Sequence, residues 1–168
     1  MNLPAFFDSV RASIFNGSLS HKQVQGCEIL LAAMQSRGWT DRRWFAYVLA
    51  TTYHETAATM QPIAEYGKGK GKLYGKPDPI TGQAYYGRGY VQLTWKENYA
   101  RMGDRLGLPL VTDPDVALEV MPAARILSTS AAISSVARQM CMKLCLRSGS
   151  GTGPPGKNSR KRSPPIWQ

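Results

Sequence analysis

The chain has 168 residues, of which 43% are hydrophobic and four are Trp, and this fits one folded domain with a core of its own. A formal charge of +10 suggests a polyanionic partner until it is divided: residues 1–119 carry 13 basic and all 11 acidic side chains, a balance of +2, and residues 120–168 carry the other 8 basic ones. By charge the body is therefore no nucleic-acid binder, no apolar run approaches the roughly 18 residues of a membrane span, and three scattered Cys (Cys27, Cys141, Cys145) make no disulfide scaffold.

Taken in order, residues 4–15 are predicted as a short amphipathic helix with Phe6, Phe7, Val10 and Ile14 on one face. Asn16-Gly17-Ser18 reads as a turn, and Ser20 as the cap of a helix to about Ser36, with Val24, Cys27, Leu31 and Met34 at helical spacing. Gly38 stops that helix, and Thr40 is expected to cap a third over residues 41–56. Trp44, Phe45, Val48 and Leu49 make the third helix the candidate core helix.

His54 and Glu55 fall in its last turn, where a carboxylate faces the negative end of the helix dipole. Pro62 forbids the same helix from reaching the next carboxylate, Glu65, ten residues on. Two carboxylates on different elements suit glycosidic cleavage: one gives a proton to the leaving oxygen, and the other activates water or attacks the sugar. The plainer alternative makes Glu55 a helix-end residue and Glu65 a solvated loop residue.

From Tyr66 to Gly82, glycines alternate with Lys68, Lys70, Lys72 and Lys76. No phosphate-binding register is completed, and His54-Glu55 has no second His four residues after His54, so neither a nucleotide loop nor a zinc motif is read. The stretch reads as a mobile basic loop rimming a cleft, or as plain solvated loop. Residues 83–91 are aromatic and β-prone and are predicted as a small hairpin or extended platform. Thr94-Trp95-Lys96-Glu97 fits a capping box, so Thr94 is expected to start a helix to about Leu106, with a hydroxyl that also suits holding a water. Asp113-Pro114 is expected to open one helix through Leu127.

Three blocks together carry a resemblance: His54-Glu55-Thr56, Glu65-Tyr66-Gly67-Lys68-Gly69, and Tyr85-Tyr86-Gly87-Arg88-Gly89-Tyr90-Val91-Gln92-Leu93-Thr94 with Asn98-Tyr99. Over roughly residues 5–127 the chain resembles glycoside hydrolase family 19, and is most similar to its compact bacterial and phage members, endolysins among them. The resemblance implies a mainly α, lysozyme-like fold of two lobes around a cleft, with a small β-hairpin, and an inverting mechanism. It implies Glu55 as general acid, Glu65 as general base and Thr94 as the hydroxyl that steadies the attacking water. It places His54, Tyr86, Gln92 and Asn98 along the substrate, and requires neither cofactor nor metal. The implied partner is an N-acetylated polysaccharide with β-1,4 links, peptidoglycan ahead of chitin, acted on by a monomer.

The alternative function is a non-catalytic relic that binds cell-wall glycan, because the resemblance stops near Leu127 and the C-terminal lobe reads as incomplete. Past that point acidic residues vanish and Pro, Ser and Arg accumulate, the texture of a shifted reading frame or a divergent tail. Residues 1–127 are read as the catalytic body, 128–147 as an extra amphipathic helix and 148–168 as a disordered basic tail. With Trp167 as its lone aromatic, that tail is expected to bind no nucleic acid. Met1-Asn2-Leu3-Pro4 opens no charged and apolar leader, so the expected location is the cytoplasm until release to the cell wall.

Overall fold

The computed structural model describes residues 2–39 and 41–129. The predicted tail 148–168, and the predicted helix 128–147 beyond Thr129, lie outside the described residues.

Five α-helices and one two-stranded sheet make the described part mainly α, as expected. Helix α1 (Leu3–Ser13) starts where the Asn2 side chain accepts from the Ala5 amide at 3.2 Å. It buries none of its residues fully, although Phe6 and Phe7 lean on the core. Helix α2 (His21–Gln35) begins with the Ser20–Gln23 capping box, in which each side chain takes the other residue's backbone amide. The predicted stripe is buried at Cys27, Leu31 and Met34 and widened by Leu30. Burial of Cys27 pushes its thiol up to about 11, the neighbouring Glu28 charge adding to the effect.

Helix α3 (Arg42–Glu55) is capped by Asp41, whose carboxylate accepts from the Arg43 amide at 2.9 Å, so the predicted Thr40 cap is replaced by its neighbour. Phe45, Val48 and Leu49 are buried as expected. They meet Cys27, Leu30, Leu31 and Met34 of α2 and Ala123, Ala124 and Leu127 of α5 (Val120–Thr129) in one apolar cluster. Each such aliphatic burial contributes on the order of 1.5–3 kcal/mol. A second cluster joins Tyr85, Leu93, Tyr99, Met102, Leu110 and Ala117 to Ile126 of α5. α5 is thus the wall shared by both clusters.

Three expectations are corrected. The sheet pairs β1 (Ile63–Ala64) antiparallel with β2 (Arg88–Gly89) across a long connection, and the tight turn expected within residues 83–91 closes later, where Arg88 bridges antiparallel to Leu93, leaving the residues before it extended. Helix α4 (Lys96–Leu106) begins after Trp95, not at Thr94. Trp95 sits at φ +74°, which swings the chain out of register for a Thr94 cap, and the Thr94 hydroxyl donates instead to the Gln92 carbonyl at 2.7 Å. The single helix predicted from Asp113 to Leu127 is a 3-10 turn, Pro114–Leu118, followed after an extended Glu119 by α5. Pro122 falls in the first turn of α5, where its missing amide costs nothing, so it marks a helix start that divides the segment. Residues 66–72, in the stretch read as a mobile basic loop or a plain solvated loop, run in successive turns, with Lys70 and Lys72 amides on the Gly67 and Gly69 carbonyls at 2.9 Å each.

Candidate active site

Glu55 is the last residue of α3 and is half-buried, with His54 beside it exposed. Tyr47, Thr51 and Glu55 recur every four residues and so share a face of that helix. Burial raises the Tyr47 hydroxyl above its ordinary range, and the Glu55 charge adds to it.

Beyond Glu55 the chain turns sharply, with Ala57, Ala58 and Met60 all at positive φ. Such residues persist only where the surroundings over-determine them. Here the buried Thr56 hydroxyl donates to the Thr52 carbonyl at 2.6 Å and accepts from the Met60 amide at 3.1 Å. Gln23 of α2 donates to the Ala58 carbonyl at 2.9 Å, and Gln61 returns a bond to the Lys22 carbonyl at 2.6 Å. Gly26 lets α2 approach this bend: a Cβ there would stand 1.8 Å from the Met60 carbonyl oxygen. The end of α3 that carries Glu55 is therefore bolted to α2.

Glu65 follows β1 and is fastened twice to one residue. Its amide donates to the Gly87 carbonyl at 2.8 Å, and its Oε2 accepts from the Gly87 amide at 3.1 Å. Glycine at 87 leaves room for this grip, since a Cβ would lie 2.8 Å from both Glu65 Oε2 and Gln92 Oε1 and push those side-chain ends aside. The Tyr74 ring meets Trp95 edge-on at 5.2 Å. Its hydroxyl is raised above its ordinary value, first by desolvation and then by the charge of the nearby Glu65.

Gln92, at φ +50°, gives both amide hydrogens to the backbone, to Ile63 and Gly89 carbonyls at 3.1 Å each, and so staples the sheet. Thr94 hangs from Gln92 as described, and the buried Asn98 donates to the Thr94 carbonyl at 2.8 Å. Tyr86 is buried beneath the Arg88 guanidinium, 3.5 Å above its ring centre. Arg88, itself 3% exposed, also donates to the Ala84 carbonyl, the Tyr99 hydroxyl and Asp115.

The structure thus links Gln92, Thr94 and Asn98 in one hydrogen-bonded chain, holds Glu65 on Gly87, and buries Tyr86 beneath Arg88. Glu55 and His54 stand apart on α3. Three residues not singled out in the sequence belong here. Gly87 lay inside the aromatic block as an unremarked glycine, whereas Tyr74 and Tyr47 left no signal. Among the described residues no group of three or more His, Cys, Asp or Glu gathers as metal ligands, and no helix is long and apolar enough to cross a membrane.

The family description chitinase class I, glycoside hydrolase family 19, matches residues 32–135, which span every candidate site residue. The chain belongs to glycoside hydrolase family 19. Relatives include an endochitinase of Arabidopsis thaliana, 38% identical over 118 residues, covering 67% of this chain and 41% of the relative. A second Arabidopsis thaliana endochitinase is 34% identical over 121 residues, with the same 67% and 41% coverage. A solved bacterial family 19 chitinase is similar at 28% identity and a TM-score of 0.49, over 73% of this chain and 63% of that one. The chain therefore spans about two fifths of the length of these two plant relatives.

Proposed function

We propose that this chain hydrolyses β-1,4 links between N-acetylated sugars with inversion, using Glu55 as general acid and Glu65 as general base. The observation that carries the reading is the double fastening of Glu65 to Gly87, which fixes a half-buried carboxylate on a different element from Glu55, within the span matched by the family. In the step, Glu55 gives its proton to the glycosidic oxygen, and the C1–O bond breaks with its electron pair going to that oxygen. Water attacks C1 from the opposite face and passes its proton to Glu65. An inverting pair stands about 6.5–9.5 Å apart to admit that water.

The orientation of Thr94 supports its part in this scheme. Its hydroxyl hydrogen is committed to the Gln92 carbonyl, so the oxygen is left to accept. A water giving one hydrogen to Thr94 and the other to Glu65 turns a lone pair toward the sugar. Gln92 serves the site through its grip on the sheet, as both its donors are on backbone carbonyls. Within the substrate class peptidoglycan stands ahead of chitin, a preference that the exposed lysines beside Glu65 support.

Wild type and Glu55→Gln are compared by turbidity loss of a peptidoglycan suspension and by reducing ends released from chitin. Glu55→Gln is expected to lose activity by about 100-fold or more, in keeping with loss of a general acid. Equal rates in the two proteins sink the assignment. Binding of insoluble wall by the wild type without release of reducing ends replaces it with a non-catalytic glycan binder. NMR of fresh product is expected to show the α anomer first, and a first product of β configuration defeats inversion.

A further inference from the structure

The positive charge of the body is concentrated beside Glu65. Of the 13 basic residues up to position 119, Lys68, Lys70, Lys72 and Lys76 fall within nine positions that hold no acid, and the remaining nine are outnumbered by 11 acidic residues, a balance of −2. All four lysines are exposed. Among the described residues none of them joins an ion pair, whereas nearby Lys96 is held by Asp78 at 2.8 Å.

The backbone that carries them is fixed, and both its ends sit at the site. The Lys68 amide turns back onto the Glu65 carbonyl at 3.1 Å, and Tyr74 lies near enough to the Glu65 carboxylate to feel its charge. Midway, the chain crosses itself so closely that a Cβ on Gly75 would lie 2.0 Å from the Gly69 carbonyl oxygen. Alternation with glycine has a physical cause here, since Gly67, Gly69 and Gly71 all take positive φ and each turn presents the next lysine outward. On the same loop Tyr66 is 84% and Leu73 71% exposed, apolar faces of the kind sugar rings cover.

We propose that residues 66–76 form a cationic docking surface for the carboxylates of an acidic glycan, namely the peptide-bearing strands of peptidoglycan, and feed that strand to Glu65. The proposal rests on the reading of Glu65 as part of the hydrolytic site. Four unpaired ammonium groups find no charge to meet on a neutral polymer such as chitin. Toward a strand with carboxylates on alternate sugars they act together and lose effect with salt, as exposed charges do.

The test is binding rather than turnover, so its result is separate from that of Glu55→Gln. The full chain and the variant Lys68→Gln/Lys70→Gln/Lys72→Gln/Lys76→Gln are titrated with three sedimentable polymers at low salt. These are peptidoglycan sacculi stripped of phosphate polymers, the same sacculi with their carboxylates amidated, and chitin. The variant is expected to bind stripped sacculi about tenfold or more weaker. Amidated sacculi should hold the wild type as weakly as the variant, and chitin should hold both alike. Equal binding of stripped sacculi by both proteins overturns the proposal, as does an equal loss on chitin. Unstripped walls are titrated as a fourth polymer, and a lysine effect that appears on them alone overturns the proposal in favour of phosphate. Matching thermal melts keep misfolding out of the comparison, and turnover of a neutral chitin oligosaccharide should be unchanged in the variant.

Discussion

Gly87→Ala separates the fold of this site from its function. The added Cβ would stand 2.8 Å from Glu65 Oε2 and from Gln92 Oε1, so each oxygen must retreat by about 0.6 Å to reach the 3.4 Å of ordinary contact. Both obstacles are ends of side chains, and Gly87 itself has no positive φ, so the backbone need not move. The stability cost should stay within about 1 kcal/mol, part of it offset by the lower unfolded-state entropy of Ala. That corresponds to a melting shift of less than about 8 °C for a domain near 100 residues. Catalysis should suffer more, because displacement of a catalytic group by a fraction of an ångström to 1 Å costs on the order of 10–100-fold. The assay pairs a thermal melt with hydrolysis of a chitin oligosaccharide. A variant that melts like wild type and also hydrolyses like wild type would refute Glu65 as a placed base. As a contrast, Gly75→Ala puts its Cβ 2.0 Å from a backbone oxygen and 2.4 Å from the Gly69 carbonyl carbon, and should fail to fold.

Other perturbations probe the surroundings. Arg88→Ala should destabilise by about 3 kcal/mol or more in urea unfolding, because it strips the cover from Tyr86 and leaves buried acceptors bare, whereas Asp115→Asn, at the exposed end of the same ion pair, should cost less than about 1 kcal/mol. The Lys96 hydrogen bond, with the Thr81 and Ile80 amides, holds Asp78 down from 3.8 to about 2. A depressed carboxylate contributes stability that is complete above its unfolded pKa and lost below it, so melts should soften as pH falls from about 4 to 2, and Asp78→Asn should flatten that limb. Glu65→Gln removes the charge that helps raise the Tyr74 hydroxyl, so the Tyr74 ring resonances should titrate at lower pH than in wild type, though still above the ordinary 10.0 because desolvation persists.

The helices were legible where one periodicity ran between two punctuation marks. Ser20 and Gly38 bracket α2, and Phe45, Val48 and Leu49 bury the face of α3 that their spacing predicts. Expectations failed where a left-handed residue or a distant partner decided the local structure. Thr94 to Glu97 has the composition of a capping box, but Trp95 at φ +74° breaks it, a conformation that no propensity assigns to Trp. The aromatic run 83–91 looked self-sufficient, yet besides the local Arg88–Leu93 bridge its strand pairs with Ile63 and Ala64, which carry little strand character of their own. Pro62 announced that the two carboxylates stand on different elements, and Glu55 does end α3 while Glu65 follows β1. That Gly87 holds Glu65 was not announced, because a glycine advertises freedom of backbone and gives no sign of what packs where its side chain would be.

The bend after Glu55 also says where this domain has room to be hardened. Ala57, Ala58 and Met60 each sit in a conformation that costs an L-residue about 1–2 kcal/mol. Ala57 is exposed, so glycine there sheds strain without emptying a contact. Gln23 and Gly26 offer no such latitude, although they lie on a different helix from the carboxylate whose support they secure. An engineer screening for thermal tolerance should therefore diversify the crest of the bend and leave its buttress on α2 untouched, and a lineage drifting at Gln23 would slacken the grip on Glu55 while every residue of the carboxylate's own helix stayed the same.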